Sequence, residues 1–106
     1  MEQREYVRLV LEAYVSTPGT AGVVRRADRL FAIRLFERGV PVETVANALT
    51  LAAARRLARP GDAPPLGIIR SLAYFSPVIE EVLLLKAAPE YFQYLRNKLN
   101  RIHTSR

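Results

Sequence analysis

The stretch Arg38-Gly39-Val40-Pro41-Val42-Glu43-Thr44-Val45-Ala46-Asn47-Ala48-Leu49-Thr50-Leu51-Ala52-Ala53-Ala54-Arg55-Arg56-Leu57 decides the fold. Gly39 is the expected left-handed stop of a preceding helix. Pro41 is expected in the first turn of the next one, where a missing N–H costs nothing. Val42, Val45, Ala46, Leu49, Ala53 and Leu57 then recur with helical period and predict one long apolar stripe. Ala46, Ala48, Ala52, Ala53 and Ala54 allow a neighbouring element to approach closely.

The run Leu35 to Ala46 also reads like the opening of a helix-turn-helix, with a glycine followed by a polar-started helix carrying an apolar–Ala pair. A DNA-reading unit then needs a tight turn and a recognition helix a few residues on. Between Ala48 and Arg59 no turn residue stands where that turn must fall. The stretch predicts one continuous helix in a helical hairpin. A helix-turn-helix regulator stays as an alternative.

Outward from this segment, prolines and glycines cut the chain into further helical pieces, and none alternates like a strand. Val7, Val10, Leu11 and Tyr14 mark a helix over Gln3–Val15, and Ser16 to Gly22 a loop. Val24–Arg38 is expected to be a second helix with Ala27, Leu30, Phe31 and Leu35 inward, widened by Ile33 and Phe36. After the rigid connector Pro60 to Pro65, a short helix over Leu66–Phe75 would place Ile68, Leu72 and Phe75 on one side. Ser76-Pro77 reads as the cap and first residue of a helix ending near Ala87. Pro89 starts the last, with Phe92, Leu95, Leu99 and Ile102 in one stripe. The expected fold is all-α, a compact bundle of five to six short helices with Pro/Gly-punctuated loops. One domain accounts for residues 1–106, its tail from about residue 96 being basic.

Composition narrows the possible roles. There is no cysteine, which excludes disulfides, thiolate metal sites and a cysteine nucleophile. No run approaches the ~18 apolar residues of a membrane span, so no membrane partner is expected. Met1 to Glu5 lacks a signal core, which points to the cytoplasm. His103 is the lone histidine and has few partners for acid–base work. Glu80 and Glu81 are adjacent, so on a helix they diverge by about 100° and cannot share a metal. They are expected to favour the first turn of their helix. No phosphate-cradling loop, metal-ligand spacing or nucleophile elbow is present. The expectation is a non-enzyme with no cofactor.

Charge carries the functional reading. The net charge of +6 is gathered in three blocks. Arg25, Arg26, Arg29, Arg34 and Arg38 stud the second helix, with Asp28 and Glu37 able to offset some locally. Arg55, Arg56 and Arg59 close the third, and Arg96, Lys98, Arg101 and Arg106 fill an acid-free tail. Arginine forks match phosphate, and clustering of this kind fits a nucleic-acid backbone. Tyr91 and Tyr94 flank the last stripe and are either boundary residues or base-stacking ones. Tyr74 and Phe75 are expected in the core. The candidate nucleic-acid residues are therefore Arg25, Arg26, Arg29, Arg55, Arg56, Arg96, Lys98, Arg101, Tyr91 and Tyr94.

Two segments, Arg38–Leu57 and "IRSLAYFSPVIEEV" at Ile69–Val82, carry a resemblance. Across the proline-rich joint between them, Arg25–Val82 resembles small uncharacterised helical proteins of bacterial genomes, some near mobile elements. More distantly it is similar to the DnaD-type helical modules of plasmid and phage replication initiators. In those a Gly-started, Ala-rich helix precedes a short aromatic-bearing one. This chain lacks their aromatic-rich terminal motif. The resemblance implies an accessory role on nucleic acid, in replication, recombination or a mobile-element system. The alternative partner is protein, either a homodimer through Phe92, Leu95, Leu99 and Ile102 or a place as a small subunit of a larger, RNA-guided complex.

Overall fold

The computed structural model describes residues 1–85 and 89–104, with residues 89–92 and 102–104 described by their backbone alone. Its helices are α1 (Gln3–Ser16), α2 (Arg26–Glu37), α3 (Val42–Leu57), α4 (Ser76–Leu85) and α5 (Pro89–Thr104), with a 3₁₀ turn at Leu72–Phe75 before α4. Among the described residues the only strand-like pairing is a single parallel bridge between Thr20 and Ile69. The all-α bundle is as the periodicities predict.

The α2–α3 corner forms as its residues dictate. Gly39 adopts φ 75°, and its N–H donates to the Phe36 carbonyl at 2.9 Å. The Val40 N–H donates to the Leu35 carbonyl at 3.1 Å, which completes a Schellman stop. Pro41 caps α3 one position before the first helical residue, in extended conformation. Val40 is itself buried, and its carbonyl accepts the Tyr6 hydroxyl at 2.7 Å. Tyr6 also meets Phe36 edge-on at 5.3 Å, so the corner is bolted to α1.

α3 is the axis of the bundle. It packs against α1, α4, α5 and the 3₁₀ turn, and every residue from Asn47 to Ala53 is buried. The alanines explain this, because only small side chains let helices close on several sides. α3 runs unbroken from Val42 to Leu57, so the tight turn that a helix-turn-helix needs after Ala48 does not form there. α5 lies on α3 with Leu95 8 % and Leu99 7 % exposed. These two stripe residues are used within the chain, and a homodimer seam through them would require α5 to leave α3. The side chains of Phe92 and Ile102 lie outside what the structure describes, as does the expected end of α4 near Ala87.

Two expectations fail for identifiable reasons. The inner stripe of α2 is Asp28, Ala32 and Leu35, whereas Ala27 and Leu30 are exposed. The helix is turned so that a carboxylate faces inward, which an apolar count cannot anticipate. Residues 66–71 are also not helical. Ile69 is inward at 2 % exposure and Ile68 outward at 57 %. The Ile69 N–H donates to the Gly19 carbonyl at 2.8 Å, and its carbonyl accepts the Ala21 N–H at 2.9 Å. Pro64, Pro65 and Gly67 weaken a first helical turn, and this pairing gives the segment an extended alternative.

Candidate functional site

Asp28 organises the surface where the first arginine block lies. It is 2 % exposed, and a buried carboxylate is costly unless it is hydrogen-bonded. Its Oδ2 accepts the Arg25 N–H at 2.9 Å, which completes the N-terminus of α2 from within. Its Oδ1 accepts the Leu72 N–H at 2.9 Å, 44 positions along the chain. One carboxylate thus joins the start of α2 to the 3₁₀ turn. Asp28 does not neutralise the neighbouring arginine side chains as the sequence suggests; it satisfies backbone amides. Tyr14, fully buried beside it, meets Phe75 edge-on at 6.2 Å. Burial pushes the Tyr14 hydroxyl up, the Asp28 charge adds to this and Arg25 opposes it. That hydroxyl has no hydrogen-bond partner among the described residues.

Around this buried joint the exterior is basic. Arg25, Arg26 and Arg29 are exposed, and none forms an ion pair with a described residue. Arg70 joins them, since it stands between Ile69, paired to Gly19 and Ala21, and Leu72, held by Asp28. Arg70 is also exposed and without such a pair. Sequence reasoning missed it because a lone loop arginine carries no local signal. Arg29 shares a shallow groove of about 490 Å³ between α1 and α2 with the exposed Arg4. The neighbouring Arg8 is paired with Glu12 at 2.8 Å.

Several other arginines have partners within the chain. Arg38 makes a two-pronged contact to Glu80 at 2.7 and 3.2 Å. Arg55 does the same with Glu81 at 2.7 and 2.5 Å. The two glutamates therefore do not serve the first turn of α4. Diverging as adjacent helical positions must, they reach arginines on different elements. Each arginine holds its carboxyl below the ordinary range, mainly through these hydrogen bonds. Arg56 donates to the Gly67 carbonyl at 2.8 Å and to the Tyr74 hydroxyl at 3.3 Å, and Arg59 donates to the Pro64 carbonyl at 2.9 Å. Gly19 makes room for Arg56, because a Cβ there would lie 3.2 Å from its Nε.

On α5, half-buried Arg96 donates to the Asn47 Oδ1, and Lys98, Arg101 and Tyr94 are exposed. The side chain of Tyr91 lies outside the described residues, as do those of His103 and Arg106. The structure therefore brings Arg25, Arg26 and Arg29 together with Arg70. It commits Arg55, Arg56 and Arg96 to internal partners, and sets Lys98, Arg101 and Tyr94 on the helix that packs on α3. Tyr74 corrects a core expectation, being 48 % exposed.

Comparison with protein-family models, with curated proteins and with solved structures finds no match. The DnaD-type likeness therefore rests on the quoted residues alone. No described helix is long and apolar enough to cross a membrane.

Proposed function

We propose that this chain is a non-catalytic accessory protein that binds nucleic acid through its phosphates, using the α2 face of Arg25, Arg26 and Arg29 with Arg70 and Arg4. The observation that carries this reading is the contrast among arginines. Those at Arg38 and Arg55 are neutralised by carboxylates, while these five are exposed and have no carboxylate pair among the described residues. Guanidinium groups left in this state suit a partner that brings its own negative charge. Lys98 and Arg101 on α5 form a separate basic surface and are secondary in this reading. We place its work in the cytoplasm, a reducing compartment with which the cysteine-free composition is consistent. The DnaD-type resemblance agrees with an accessory role in replication, recombination or a mobile element.

Four to five phosphate contacts set the salt dependence. The log–log slope of affinity on salt is expected at roughly −3.5 to −4.5 on duplex DNA, and shallower on single strands. Fluorescence anisotropy of a labelled duplex across a salt series measures it directly. An affinity that does not change with salt rejects the reading.

A further inference from the structure

We propose that the same basic face is built for single-stranded nucleic acid, with Tyr74 as the platform on which a base stacks. This rests on the phosphate-binding reading above and adds the substrate class. In a 3₁₀ turn residues three apart eclipse. Leu72 and Phe75 accordingly share the inward side, both fully buried, and Tyr74 between them is thrown outward at 48 % exposure.

The ring is held in place. Phe75 meets it edge-on at 5.2 Å with an interplanar angle of 81°. The Arg56 guanidinium sits 6.0 Å from its centroid and donates to its hydroxyl, while anchored to the Gly67 carbonyl. An aromatic fixed before binding loses little freedom when a base lands on it.

Its position ties it to the phosphate-binding residues. The Tyr74 N–H donates to the Ser71 carbonyl at 3.2 Å, one residue after Arg70. Leu72, two residues before Tyr74, shares the Asp28 carboxylate with Arg25. In the extended segment leading to the turn, Ile68 and Arg70 both face outward while Ile69 faces inward. An exposed ring on the turn that Asp28 joins to the arginine-bearing start of α2 suits unpaired strands, because bases in a duplex hide their faces from it. Tyr94, the exposed aromatic on α5, lacks this link to Asp28.

The test measures binding of a fluorescent poly-dT strand and of a mixed-sequence duplex to four proteins. These are the unmodified chain, Tyr74→Leu, Tyr74→Phe, and the triple variant Arg25→Ala, Arg26→Ala, Arg29→Ala. Tyr74→Leu keeps apolar bulk and removes the π face. It is expected to weaken single-strand binding about tenfold, within a range of roughly 5- to 100-fold, and to leave the duplex unaffected. Tyr74→Phe is expected to stay close to the unmodified chain. If Tyr74→Leu changes neither ligand while the triple variant loses both, stacking is overturned and the phosphate reading stands. If Tyr74→Leu weakens both ligands equally, the residue is structural and the proposal is likewise overturned. If the triple variant loses neither, both readings fail. A measurement on the unmodified chain guards against misfolding: ultraviolet cross-linking to a 5-iododeoxyuridine strand is expected to mark Tyr74. Adducts confined to Tyr94 contradict the proposal.

Discussion

The Leu72 amide and the Asp28 carboxylate lie 2.9 Å apart although 44 positions separate them in the chain. With the Arg25 amide on the other oxygen, that carboxylate fixes the first turn of α2 against the turn that carries Tyr74. The basic face is therefore rigid because a single buried acid stands beneath it. Removing Asp28 with Asp28→Ala leaves two amides without their acceptor and is expected to cost about 2–4 kcal/mol. Urea denaturation measures this, and Asp28→Asn should cost less because it keeps one acceptor oxygen.

The last helix supplies a second stability prediction. Leu95→Ala opens a gap between α5 and α3 and is expected to destabilise by about 2–3 kcal/mol. Light scattering should give the same mass for variant and unmodified chain. A drop in mass with no loss of stability would show that Leu95 faces a second copy instead.

At alkaline pH the group to watch is Tyr6. Burial pushes its hydroxyl from 10.0 up to about 12, with Arg38 opposing. A folded value above the unfolded one means the stabilisation is complete below pH 10 and is lost as pH rises towards 12. Tyr6→Phe should be less stable at pH 8 and show a flatter decline between pH 10 and 12. Thermal melts across that range provide the measurement.

At acid pH the sign reverses. Glu80 and Glu81 are held below the ordinary carboxyl range by Arg38 and Arg55. Their contribution is present above the unfolded value of about 4.5 and disappears as pH falls through the lowered folded values. The double variant Glu80→Gln, Glu81→Gln should lose less melting temperature than the unmodified chain between pH 6 and pH 3. Both pairs are exposed, so the difference should be small and shrink in high salt.

What could be read from the sequence was local. Gly39, Pro41 and the Ala-rich run place the α2–α3 corner because a stop, a start and a stripe are properties of neighbouring residues. Pro89 and the Leu95–Leu99 spacing do the same for α5. Asp28 defeated this reasoning, since its type signals exposure while its amide partner lies at Leu72. The Ile68–Leu72–Phe75 spacing imitated a helix where pairing with Gly19 and Ala21 holds an extended chain. The site was obscured for the same reason. Which arginines meet a glutamate is set by contacts such as Arg38–Glu80, 42 positions apart, and no charge count reveals them. Arg70 and Tyr74 became candidates only once the Asp28–Leu72 bond tied their segment to the start of α2.

The most direct test of the account compares two triple-alanine variants that each lower the +6 net charge by three. One replaces Arg25, Arg26 and Arg29, and the other replaces Arg38, Arg55 and Arg59, which already have partners within the chain. Single-strand affinity is measured for both across a salt series. The first variant is predicted to lose most of its affinity and to flatten the salt slope by about 2, at ~0.7 per contact on single strands. The second should stay within a few-fold of the unmodified chain with its slope intact. Equal losses in the two variants would mean that binding follows total charge and not this face, which contradicts the account.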